Sequence, residues 1–290
     1  MERGFKTADA ILLGDPHLRD SIPSCRDAEF LDEQWECLDA IQELSTKHNG
    51  CPVLCAGDLF DHWKPSPYLL AKTLEHLPKN FHTVYGNHDL PQHNLEMRNK
   101  CGIYVLEKAG ALDVFPNGIH WEQPVDTYQE FLGRKMLVWH YMIIKAKALY
   151  PGATDERANS IMKQYPEIEL FITGHNHQSF IEKIDGRLLV NAGCMTRQTM
   201  TEAKYVPTVY LYYASTNSVV PFILPTKGIC TVPDNAEKKK ERDDRIEAFI
   251  STLKDNWEVT VDFEKNLEAY MENNKTRKDV KAKILEVLNN

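Results

Sequence analysis

The chain has 290 residues, 42% of them hydrophobic and 26% charged, which is enough apolar material for one large α/β domain or a domain with a small appendage. Its net charge of −8 excludes a generally basic nucleic-acid coat, although a local patch or bound cations can still supply a positive field. Seven scattered cysteines form no CxxC pair, which argues against a disulfide framework or a thiolate zinc site and for reduced thiols in a cytoplasmic protein.

From the N-terminus, "MERGFKTADAILLGD" has only a short apolar stretch with an acid inside it, so no signal peptide is expected. No run of ~18 apolar residues follows, so no membrane partner is expected either. "AILLGD" (10–15) predicts a buried strand that ends in an acid. Phe30, Leu31, Trp35, Leu38, Ile41 and Leu44 recur at helical spacing and predict a helix over 27–48. "CPVLCAGD" (51–58) predicts a second buried strand, and "SPYLLAKTLEHL" (66–77) a helix with Ser66 as its cap and Pro67 in its first turn. "FHTVYGNHD" (81–89) repeats the strand-to-loop pattern, and 95–109 reads as helical. "KMLVWHY" (135–141) and "IELFITGHNH" (168–177) are strands that run into histidines. "FIEKI" and "RLLVNAG", joined at Asp185-Gly186, predict a hairpin, as do "TVYLYYA" and "VVPFIL" around "STNS". Near residue 233 the composition turns highly charged. That places a boundary between a domain of residues 1–233 and a mostly helical segment, 234–290.

Five of these strands end alike. They deliver Asp15 and His17 in "GDPH", Asp58 and Asp61 in "GDLFD", Asn87 and His88 in "GNHD", His140 in "VWHY", and His175 and His177 in "GHNH". The carboxyl ends of neighbouring strands share one rim of a sheet, so residues far apart in sequence can meet in one cleft there. Gly14, Gly57, Gly86 and Gly174 are read as sharp turns at that rim. Asp15, His17, Asp58, Asn87, His140, His175 and His177 make a donor set of carboxylate, amide and imidazole without thiolate, which suits Mn²⁺, Fe²⁺ or Zn²⁺. Seven donors are too many for one transition metal with an open position but fit two ions sharing a carboxylate. Such a pair can polarise a phosphoryl oxygen and generate hydroxide.

The order D-x-H … G-D-x-x-D … G-N-H-D … H … G-H-x-H resembles the calcineurin-like metallophosphoesterases over roughly residues 8–225. The resemblance implies a four-layer α/β sandwich of two mixed β-sheets flanked by helices. It also implies two divalent ions, Mn²⁺ foremost with Fe²⁺, Zn²⁺ or Mg²⁺ as substitutes. By motif position, Asp15, His17, Asp58 and His177 would hold one ion, and Asn87, His140 and His175 the other, with Asp58 as bridge. His88 would be the catalytic histidine that contacts the phosphate and protonates the leaving oxygen. Asp61 would orient it as a buried acceptor that favours its charged form.

The stretch "GDLFDHWKPSPYLLAKTLEHL", together with the later "DGRLLVNAGCMTRQTMTE", is similar to the SbcD-type DNA-repair nucleases. That similarity implies a metal-dependent nuclease cutting DNA, an SbcC-like ATPase as partner, and a homodimer through the helices of 66–77 and 95–109. A small-molecule phosphodiesterase or phosphatase on the same site is the alternative within enzymes. A non-enzymatic scaffold would be expected to have lost ligands, and none of the five blocks is eroded. Lys145, Lys147, Arg157, Arg197 and Lys204 flank the motifs and could extend a positive field.

Overall fold

A computed structural model describes residues 6–121, 123–145, 156–228, 230 and 271. The chain divides into two compact units, Met1–Val232 and Pro233–Asn290. Apart from Met271, which is helical, the helices expected in 235–290 lie outside the described residues, as does Lys147.

The first unit is built on two sheets. The larger contains β1 (Ala10–Leu13), β2 (Val53–Cys55), β3 (Phe81–Thr83) and β4 (Asp113–Val114) in parallel. On the far side of β1, β12 (Thr208–Tyr213) pairs antiparallel with it and β13 (Ser218–Ile223) antiparallel with β12. In the smaller sheet, β6 (Arg134–His140) and β9 (Leu170–Gly174) are parallel at the centre. β5 (Gln129–Phe131) pairs with β6, β11 (Arg187–Asn191) with β9, and β10 (Phe180–Ile184) closes the edge. A two-strand ribbon joins β7 (Ile143–Ile144) to β8 (Glu156–Arg157).

Alternation along each strand divides the apolar residues into three layers. Ala10 and Leu12, Leu54, Val84, Met136, Val138, Leu170 and Ile172 pack between the sheets. Ile11, Leu13, Val53 and Cys55 face outward onto α1 (Glu29–Lys47), α2 (Pro67–His76) and α3 (Gly102–Lys108). Leu137, Trp139 and Phe171 face the other way, onto α4 (Ala158–Gln164). The result is the four-layer α/β sandwich of mixed sheets expected from the motifs.

Local chemistry explains the ends of several elements. Ser66 caps α2 by accepting the Leu69 N–H at 3.1 Å. Asp185 and Gly186, with φ of 50° and 78°, supply the paired left-handed residues that a two-residue hairpin needs between β10 and β11. The helix expected over 95–109 is instead two pieces, a 3₁₀ turn at Leu95–Lys100 and α3, broken at an extended Cys101. There the Gly102 N–H donates to the Trp63 carbonyl at 2.9 Å, a tertiary bond that replaces the helical one.

Candidate metal centre

β1, β2 and β3 of the larger sheet and β6 and β9 of the smaller one deliver the motif residues from their carboxyl ends. All seven proposed ligands lie on that rim, and two groups of donor atoms there share Asp58. Oxygen and nitrogen atoms of Asp58, His140 and His175 lie within 4.8 Å of one another, and so do those of His17, Asp58 and His88. Asp58 Oδ2 is 3.3 Å from His140 Nε2 and 3.6 Å from His17 Nε2, so one carboxylate faces both groups. Asn87 Oδ1 sits 3.0 Å from His140 Nε2, and His17 Nε2 faces His177 Nε2 at 3.0 Å. Asp15 lies beneath, with Oδ1 accepting the His175 N–H at 2.8 Å.

The backbone is distorted where these side chains leave it. His17, Asp58 and His175 take left-handed φ values of 45°, 50° and 75°. Such geometry costs about 1–3 kcal/mol per residue, persists only where the surroundings enforce it, and gathers at functional sites. The neighbouring glycines serve a purpose other than the one expected. Of the four read as turns, Gly57 alone has a positive φ, at 99°. Gly86 instead makes room, because a Cβ there would collide with the Asp58 carboxylate, and one on Gly174 would lie 2.9 Å from Asp15 Oδ1.

Electrostatics follow from burial. Asp58 is 1% exposed, and burial alone would raise its carboxyl, but the His140 and His17 imidazoles outweigh it and hold the group below the usual carboxylate range. His140 is correspondingly raised to about 9: burial opposes its charge, yet Asp58 and Asp15 prevail. Burial lowers His17 well below its ordinary value, and burial with the adjacent His140 lowers His175 to about 4. Two neutral imidazoles beside carboxylates are the form in which histidine donates lone pairs to a cation. Asp15 is raised by burial, and its Oδ2 is buried without a hydrogen-bond partner. Orphaned atoms of this kind cost a few kcal/mol unless something coordinates them, so the donor set fits divalent cations.

The two proposed catalytic residues meet differently from the expectation. His88 Nδ1 lies 2.8 Å from the main-chain carbonyl of Asp61, not from its carboxylate. The Asp61 carboxylate is 32% exposed and pairs with Arg19 at 3.3 Å. The reason is local: Asp61 donates its N–H to the Leu18 carbonyl, which leaves its own carbonyl toward His88 and its side chain beside Arg19. A carbonyl acceptor at this distance fixes the imidazole tautomer. The buried acid of this corner is Asp89, which accepts the Leu59, Phe60 and Gly86 N–H groups at 3.0–3.3 Å. Burial and the nearby Asp58 raise it to about 8.

Three neighbours complete the surroundings, and two of them, Trp121 and Glu202, were not singled out by the sequence reading. The Trp121 ring lies 4.8 Å from that of His175 and 6.0 Å from that of His140, walling the second group. His93 Nδ1 lies 2.8 Å from the Asn87 carbonyl. Glu202 pairs with His177 at 2.8 Å, and the T-x-x-E spacing of Thr199 to Glu202 was a readable signal of a capping box. Of the flanking cations, Arg197 is tied to the Ala203 and Gly228 carbonyls and Lys145 to the Ile181 carbonyl. Lys204 is exposed and lines a cavity of about 640 Å³ together with His175, His177, Glu202 and Tyr205.

The model of the calcineurin-like phosphoesterase superfamily domain matches residues 11–215. No curated protein sequence matches the chain. Among solved structures, an archaeal phosphodiesterase is similar at 15% identity over 74% of this chain and 99% of its own, with a TM-score of 0.44. A Vps29 variant from Entamoeba histolytica is similar at 16% identity, covering 74% of this chain and 99% of its own, with a TM-score of 0.36. Vacuolar protein sorting 29 from Cryptosporidium parvum follows at 16% identity, with 76% and 99% covered and a TM-score of 0.38. The chain belongs to the calcineurin-like phosphoesterase superfamily, and metal-dependent hydrolysis of phosphoesters is the class of activity that this membership carries.

Proposed function

We propose that the protein is a two-metal phosphodiesterase that cuts DNA. The observation that carries the two-metal part is Asp58, one buried carboxylate facing His140 on one side and His17 on the other. Asp15, His17, Asp58 and His177 would hold one cation, and Asp58, Asn87, His140 and His175 the other. When bound, the two cations, Mn²⁺ by preference, polarise the phosphoryl oxygens and lower the pKa of water. His88 acts beside them. The Asp61 carbonyl can only accept, so Nδ1 keeps its proton and Nε2 is the atom that exchanges one with the leaving oxygen. The fold that imposes left-handed backbone at His17, Asp58 and His175 would hold the donors in place before substrate arrives.

DNA as substrate is supported by the SbcD-like stretches around residues 57–77 and 185–202. Lys204, exposed beside the histidines, supplies a contact for a neighbouring phosphate. An SbcC-like ATPase and a second copy of the chain complete the proposed partners. A panel of an aryl phosphodiester, a phosphomonoester and labelled single- and double-stranded DNA, each with Mn²⁺, tests the reading. Hydrolysis of the diester and of DNA is expected. Activity confined to the monoester or to small diesters would replace the nuclease with a small-molecule phosphatase or phosphodiesterase.

A further inference from the structure

The shortest polar contact of the His177 imidazole is with Glu202, where Nδ1 lies 2.8 Å from Oε1. Glu202 is 5% exposed, and both of its oxygens are committed. Oε2 accepts the N–H of Gln198 at 2.7 Å and that of Thr199 at 3.0 Å. The same turn reaches the other histidine of the pair, because Gln198 Nε2 donates to the His17 carbonyl at 3.0 Å. Cys194 is near enough to count with His177 and Glu202 as a group of donor atoms. That group is not a cation site of its own, since His177 Nδ1 and both Glu202 oxygens are already paired.

We propose that Glu202 is a positioning residue that fixes His177 as the Nδ1-protonated tautomer and keeps its Nε2 lone pair aimed at the point shared with His17. This rests on the two-cation reading above. An ionised carboxylate only accepts, so Nδ1 carries the proton, and a neutral imidazole then has its lone pair on Nε2. The arrangement is a carboxylate–histidine pair of the kind that orients metal-binding imidazoles. Glutamine has nearly the same shape and the opposite effect. The Gln198 and Thr199 N–H groups would hold its carbonyl oxygen, so its NH₂ would face His177 Nδ1. Nδ1 would then have to accept, and the proton would move to Nε2, where it points at the cation position. Thr199→Ala is the control, because it opens the capping box while leaving the Glu202–His177 pair in place.

Calorimetric titration of metal-free full-length protein with Mn²⁺ tests this. Wild type should bind two ions. Glu202→Gln should weaken one of them about 10–100-fold, with Thr199→Ala staying within about twofold of wild type at both. Unchanged affinity in Glu202→Gln, or an equal loss in Thr199→Ala, overturns the assignment. A wild type that binds no ion would fail the two-cation reading instead. A second measurement needs no folded Glu202 variant. Long-range ¹⁵N–¹H spectra of the metal-free wild type at alkaline pH, with the signal assigned by its loss in His177→Asn, should show His177 protonated on Nδ1. Protonation on Nε2 overturns the proposal.

Discussion

The Nε2 atoms of His17 and His177 face each other at 3.0 Å although 160 residues separate them in the chain. Two imidazole nitrogens meet like this when one donates a hydrogen to the other or when both serve one cation. Asp58 Oδ2, 3.6 Å from His17 Nε2, adds negative charge to the same spot, as a shared cation requires. The same carboxylate touches the His140 group, so the two halves of the centre depend on one side chain.

Asp58→Asn should therefore disturb both cation positions together. An amide oxygen carries no charge and cannot compensate two cations at once. The expected loss is several kcal/mol of transition-state stabilisation, roughly 10³-fold in kcat/KM. Elemental analysis should find fewer than two ions per chain. Two retained ions would remove Asp58 from its bridging place.

His88→Gln should separate binding from chemistry. Both ions should stay, and cleavage of DNA, whose leaving oxygen needs a proton, should fall by about 10²–10⁴. Hydrolysis of an aryl phosphodiester, whose leaving group needs none, should fall less. His88 also lies within 4.8 Å of His17 and Asp58 atoms, so metal content has to be measured alongside the rates. Loss of an ion would make His88 a ligand, and equal loss on both substrates would make it an electrostatic clamp.

His120 gives a pH dependence independent of the metal centre. Burial, and then the nearby Arg98, lower its imidazole from 6.5 to about 4. Its Nδ1 accepts the Tyr85 N–H at 3.1 Å, which protonation would break. A base depressed on folding adds stability above its unfolded pKa that is lost as pH falls through the folded one. The contribution should be about 3 kcal/mol above pH 6.5 and fade toward pH 4. Denaturant midpoints measured across that range should fall less steeply in His120→Gln than in wild type.

Much of the site was legible because its signals are local. An apolar run that ends in Gly57-Asp58 announces a carboxylate at a strand end, and His140 and "GHNH" announce the same for the second sheet. Contacts that depend on main-chain direction were not legible. His88 leans on the Asp61 carbonyl, an atom every residue has, so the neighbouring carboxylate drew the attention. Glu202 reaches His177 only because the chain at 198–202 turns back on itself. Gly86 is required by the volume of the Asp58 carboxylate from another strand, which no single-strand pattern contains. The break at Cys101 likewise comes from Trp63, which lies on a different element.

The proposed homodimer has a specific face. Tyr68 on α2 and Val105 on α3 are 62% and 50% exposed, unusual for large apolar side chains on helices whose Leu69 and Leu106 are buried. Light scattering at tens of micromolar should give the mass of a dimer, and Tyr68→Glu with Val105→Glu should give that of a monomer with unchanged hydrolysis of the aryl diester. A monomeric wild type would remove the dimer.

Two cations sharing Asp58 are the working parts proposed for this protein. The most direct measurement is a titration of chelator-stripped protein with Mn²⁺, following bound ions per chain and hydrolysis of an aryl phosphodiester in the same samples. No turnover is expected without metal, with two ions bound at saturation and full activity only as the second site fills. Full turnover by metal-free protein, or saturation of activity at one ion per chain, would contradict the proposal.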